Sequence, residues 1–188
     1  MTQQTYKGFH TCKDRGGYEH IVKNIPFKSG SEENQWLTEG FYFWTDSPYW
    51  AREWLGTQSK VIGQFDIELC RETELLDLVG NVEHQLEFLK LKDTVLQRLD
   101  FAARKKICVH QVISYFRKRE AIFPYSAIKA EDGRRLENIR FVDQKFRSRK
   151  ETMDLVTRQQ MCVFEKAKNR IKLTGFDRPP EFTARFTS

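Results

Sequence analysis

Three short segments hold the residues whose types suit chemistry. Phe9-His10-Thr11 ends a stretch of alternating bulky and small residues. Gly40-Phe41-Tyr42-Phe43 runs into a set of helix-starting residues, and Gln160-Met161-Cys162-Val163-Phe164 lies near the C-terminus. Singly, each has a plain reading: His10 as a hydrogen-bonding residue at a strand end, Tyr42 as core, Gln160 as an edge residue. Other chemistries are excluded locally. Cys12, Cys70, Cys108 and Cys162 are too scattered for a metal knuckle, and His10, His20, His84 and His110 show no ligand spacing. The expectation is a protein with no metal. There is no phosphate-cradling glycine loop and no GxSxG nucleophile elbow.

The elements that must position these segments can be read from periodicity. Residues 5–12 read as a strand, and Gly40–Trp44 as a second. Residues 13–39 form a long polar connection with one helical turn near Tyr18–Val22; a connection of that length is usually functional or mobile. Thr45, Asp46 and Ser47 are capping types, and Pro48 suits a first helical position, so a helix follows with Ala51 and Trp54 on it. Val61, Gly63, Phe65, Ile67 and Leu69 alternate along a third strand. A helix over 81–104 turns Leu86, Leu89, Leu96, Leu99 and Ala103 inward, and a second places Val109, Val112, Ile113 and Phe116 on one face. Residues 121–130 hold a short strand, 131–159 are polar, Met161–Phe164 is a buried-type strand, and the tail after Gly175 is extended. No repeat or linker divides the 188 residues, so a single domain, 1–188, is expected.

The order and context of the three segments resemble the ADP-ribosyltransferase superfamily, in its diphtheria-toxin and poly(ADP-ribose)-polymerase branch with a His-Tyr-Glu triad. The matching stretches are His10-Thr11, Gly40 through Phe43 with Ala51, and Gln160 through Phe164. The resemblance spans most of the chain by order and about thirty residues by motif. It implies an α+β fold, a split β-sandwich of two small packed sheets, with a helical insertion at about 81–119. It implies NAD as substrate, held by His10, Thr11, Gly40, Tyr42 and Trp54. His10 would bind the adenosine ribose, Tyr42 would stack on nicotinamide, and Trp54 would give a second aromatic wall. The reaction breaks the nicotinamide–ribose bond through an oxocarbenium-like state. Where the family has Glu, this chain has Gln160, which can hydrogen-bond a ribose hydroxyl but cannot accept a proton. Three explanations stay open: a carboxylate from elsewhere, with Glu151, Glu131 and Glu165 as candidates; a transferase that works without one; or an inactive binding domain.

Charge bears on the acceptor. The formal net charge is +6, but residues 1–100 carry 11 Lys/Arg against 16 Asp/Glu, and residues 101–170 carry 18 against 8. A basic block fits a phosphate-rich partner, or a well-solvated surface. By the resemblance, the loop before the last triad strand selects the acceptor. Here it holds Lys145, Arg147, Arg149, Lys150 and Arg158, with Phe141 and Phe146 near it as stacking groups. An RNA or DNA acceptor is therefore favoured over a protein one. Small transferases of this kind resemble bacterial toxin and phage-defence modules, which implies a restraining antitoxin protein. The competing classes are a protein-targeting mono-ADP-ribosyltransferase, a non-catalytic basic RNA-binding domain and an NAD-binding domain. No leader and no membrane-spanning run is read from the sequence, so a cytoplasmic location is expected.

Overall fold

A long antiparallel pair builds one half of the molecule. Strand β1 (Gln3–Lys13) pairs with β3 (Lys60–Cys70) from Gln3↔Cys70 to Lys13↔Lys60, and β3 pairs on its other side with β9 (Ile171–Arg178). The alternation read in β3 is present: Val61, Gly63, Phe65, Ile67 and Leu69 are all buried. The other half is made of β2 (Phe41–Thr45), β8 (Gln159–Val163), β5 (Ala127–Glu131) and the three-residue β4 (Leu75–Asp77). The computed structural model describes residues 2–30, 35–54, 56, 59–99, 106–141 and 151–187.

In place of the two separate sheets that the resemblance implies, the ladder runs through seven strands, β4-β5-β8-β2-β1-β3-β9. The join is narrow. β1 and β2 share only Gly8↔Thr45 and Phe9↔Trp44 before they diverge. Gly8 permits that join, because a Cβ there would lie 2.8 Å from Ile67 Cδ1 and 3.0 Å from Phe43 Cβ. A two-stranded hairpin, β6 (Glu137–Arg140) with β7 (Thr152–Leu155), stands apart with β6 wholly exposed. The protein is thus a mixed α/β structure with two sheets of unequal size.

Burial explains why β8 reads as a continuous apolar run. Met161 and Val163 enter one core with Phe41, Phe43, Phe65 and Ile67, while Cys162 and Phe164 enter a second with Leu76, Ile113 and Phe123. A strand covered on both faces needs apolar groups at every position. The second core is covered by two helices, α3 (Val82–Leu96) and α4 (Val109–Phe116). Asn81 caps α3 by accepting from Glu83 N (3.0 Å) and His84 N (3.3 Å). Its buried face is His84, Leu91 and Val95, not Leu86 and Leu89, which are 46% and 47% exposed. The helix turns His84 inward because its Nδ1 accepts from Asp77 N at 3.0 Å.

Two connections also differ from the sequence reading. Residues 13–39 contain a two-turn helix, α1 (Gly17–Asn24). The tail is not extended after β9: Pro180 opens α5 (Pro180–Thr187), whose Phe182 packs on Phe176 with ring centres 5.4 Å apart. Proline fits a helix start because its missing N–H has no partner to lose there. Helix α2 (Tyr49–Glu53) is short, and Ser47 Oγ accepts from Tyr49 N at its start (3.2 Å). No helix among the described residues is long and apolar enough to cross a membrane.

Candidate functional site

The divergence of β1 from β2 opens a cleft of about 690 Å³. His10, the first residue past the join, bridges it. Its Nδ1 lies 2.9 Å from Tyr42 O on β2, and its Nε2 lies 3.2 Å from Phe27 N. Phe27 can only donate, so Nε2 accepts and the proton sits on Nδ1, which donates to Tyr42. Burial pushes the imidazole pKa down to about 4, against a smaller opposing effect of the Tyr42 carbonyl. His10 is therefore a neutral crosslink between the two halves of the sheet. A ribose hydroxyl reaches Nε2 only by replacing Phe27 N–H. Beside it, Thr11 Oγ1 donates to Ala51 O (3.3 Å) and fixes α2 against β1.

Tyr42 is equally constrained. Its hydroxyl donates to Thr38 O (2.7 Å) and accepts from Leu37 N (3.0 Å). Burial holds that phenol pKa well above its usual value. The loop it grips is braced from α4: Arg117, at its end, donates to Thr38 Oγ1 (2.9 Å) and Glu39 O (2.6 Å). The same loop brings Trp36, whose Nε1 donates to Gln160 Oε1 at 2.9 Å. Gln160 is 8% exposed and lies opposite Trp44 on β2 and Ala130 on β5. Trp54 is half-exposed and tilts against Trp44, ring centres 5.5 Å apart.

Segments distant in sequence are thus brought to one cavity: His10, Thr11, Tyr42, Trp54 and Gln160 all line it. Gly40 does not. It is required by a close approach, since a Cβ there would lie 2.5 Å from Cys162 Sγ and 2.7 Å from Val163 O. Residues not anticipated complete the walls. Phe27, Trp36 and Trp44 add aromatic faces; Lys13, Arg15 and His20 add positive or titratable groups. Trp36 had one signal, an isolated tryptophan in a long polar connection. Cys12 also lines the cleft, but burial and the Asp14 charge push its thiol up to about 12, so it is no nucleophile.

No family model matches this chain, and no curated protein and no solved structure matches it either. The site therefore rests on its own geometry.

The proposed replacement carboxylates lie elsewhere. Glu151 is exposed beside the β6–β7 hairpin, where its carbonyl accepts from Phe141 N (3.2 Å). Glu131 is exposed at the end of β5, and Glu165 pairs with Lys28 at 3.1 Å. None of them lines the cleft, and among the described residues its large lobe has no carboxylate. A smaller lobe of about 300 Å³ shares Trp36, Trp44, Trp54 and Gln160 with the large one and adds Asp132 and Arg158. Arg158 is therefore not a loose surface cation: its side chain is 16% exposed and ion-paired with Asp132. Lys145, Arg147, Arg149 and Lys150, with Phe146, lie outside the described residues. Phe141 is 63% exposed. Among the described residues no three His, Cys, Asp or Glu converge as metal ligands.

Proposed function

We propose that the protein is an NAD-dependent ADP-ribosyltransferase, a glycosyltransferase that passes ADP-ribose to a macromolecular acceptor. One observation carries this reading: the cleft at the split of the sheet collects His10, Thr11, Tyr42, Trp54 and Gln160 from segments more than a hundred residues apart. Its aromatic walls suit the planar rings of a dinucleotide. Lys13 and Arg15, exposed at one end, suit its pyrophosphate. Tyr42 is held rigidly enough to act as a stacking platform, because both hydrogen-bonding capacities of its hydroxyl are engaged. The implied acceptor is RNA or DNA. Exposed Arg134, Arg140 and Phe141 near the hairpin support it, as cations for phosphate and a ring for an unpaired base. The role that follows is that of a cytoplasmic toxin or anti-phage effector with an antitoxin partner.

A second reading is a non-catalytic NAD-binding domain. Gln160, tied to Trp36, favours it, as does the absence of a carboxylate among the described residues of the large lobe. Incubation of the purified chain with NAD labelled in the adenylate part, with RNA, DNA and protein in separate reactions, decides between them. The transferase reading expects label in the nucleic-acid fraction with release of nicotinamide. Tyr42→Ala should lower NAD affinity about tenfold or more, by removing a stacking face worth about 1–3 kcal/mol. Binding without nicotinamide release in any reaction would leave the second reading standing alone.

A further inference from the structure

The ladder that holds Gln160 continues past it. Ala130 on β5 lies opposite Gln160, and Glu131 lies opposite Gln159. Asp132 and Arg158 come directly after that last pair, one just past the end of β5 and one just before β8, and their side chains meet in an ion pair. Both line the small lobe together with Gln160 and the three tryptophans.

The pair is held from several sides. Asp132 Oδ1 accepts from Arg134 N (3.1 Å), and its Oδ2 accepts from Arg158 Nη2. Arg158 N donates to Arg134 O (2.7 Å), which ties the turn after β5 to the turn before β8. Trp50 Nε1 donates to Thr157 O (3.1 Å) and pins the second turn from α2. Val156 in that turn has φ 53°, a left-handed conformation that a β-branched residue adopts only when its surroundings impose it. Among the described residues Arg158 Nε is buried without a partner, so they leave this guanidinium one donor unused.

We propose that Asp132 is the catalytic carboxylate of this cleft, and that Arg158 is its positioning residue. The proposal rests on the transferase reading and answers the question that Gln160 raises. The bond between the ribose anomeric carbon and the nicotinamide nitrogen breaks, and its electron pair leaves with nicotinamide, whose ring becomes neutral. The Asp132 carboxylate faces the positive charge that develops on the sugar. The acceptor oxygen or nitrogen then bonds to the anomeric carbon, and its proton passes to Asp132 and on to water. Gln160, beside it, hydrogen-bonds a ribose hydroxyl without taking a proton.

The test uses the full chain with NAD and the acceptor that it labels. Nicotinamide release gives kcat and KM across pH 4–9, and quenching of the cleft tryptophans gives NAD affinity. Asp132→Asn should lower kcat about a hundredfold or more and leave NAD affinity within about threefold. Its rate per folded molecule, with the folded fraction read at each pH, should lose the acid-side fall of the wild type. Asp132→Glu should recover part of the rate, and Arg158→Lys should move the acid-side pKa of the rate. If Asp132→Asn misfolds, a folded Asp132→Ser, which also lacks the carboxylate, with wild-type kcat and an unchanged pH profile overturns the proposal. A folded Asp132→Asn with wild-type kcat overturns it too, as does a loss confined to KM. A wild-type chain that binds NAD and releases no nicotinamide overturns the transferase reading itself, and this proposal with it.

Discussion

The wide end of the cleft carries Lys13, Arg15 and His20, whereas the narrow end carries one ion pair, Asp132 with Arg158. Among the described residues, neither Lys13 nor Arg15 has an ion-pair partner. Four shared side chains, Trp36, Trp44, Trp54 and Gln160, stand between the ends. The difference separates two tasks. Exposed cations attract an anionic ligand cheaply, since they stay hydrated until it arrives. A carboxylate beside a forming cation has to be fixed beforehand, and Asp132 is fixed by a turn, a guanidinium and a neighbouring strand. On this view the wide end binds and the narrow end reacts.

Acid stability probes the hinge between the two halves most strongly. The folded pKa of His10 is about 4, below its unfolded value near 6.5. Between those values the unfolded chain holds a proton that the folded chain lacks. Stability is therefore whole above pH 6.5 and falls as the pH drops toward 4, by about 3 kcal/mol from this group. His10→Gln can keep both backbone bonds without titrating, so denaturant unfolding at pH 7 and pH 4.5 should show that acid loss reduced. An unchanged loss would mean that His10 is not the crosslink described above.

Gly40→Ala should cost about 1–3 kcal/mol, because its Cβ meets Cys162 Sγ and the Val163 carbonyl where β2 packs on β8. Thermal unfolding reads this as a lower Tm, and both lobes should weaken together. The smallest effect belongs to the wide end. Lys13→Ala and Arg15→Ala should each weaken NAD binding about threefold, less so at high salt, with kcat unchanged. A fall in kcat without a change in affinity would break the division between the two ends.

How much was legible depends on the element. The alternation of β3 and the apolar run of β8 announce themselves, because burial on one or both faces dictates residue type. The Asn81 cap marks the start of α3, but the buried face of that helix was not legible. His84 is polar by type and buried because Asp77 N needs an acceptor, while Leu86 and Leu89 are apolar and exposed. The β6–β7 hairpin leaves almost no pattern, since β6 buries nothing and β7 almost nothing. At the site, His10, Thr11, Tyr42, Trp54 and Gln160 were legible as order along the chain. Asp132 was not: an aspartate in a polar stretch gives no signal until the fold sets it in one small lobe with Gln160.

By itself the sequence determined the local things: which stretches alternate, where a helix is capped, where positive charge accumulates, and that position 160 is a glutamine. Tertiary structure alone decided that β1 and β2 touch at two residue pairs and then part. It also decided that both nitrogens of His10 go to backbone groups 17 and 32 residues away. Local patterns follow from which side of one element is buried. A cleft is made by the disagreement between two elements, and no single segment records it.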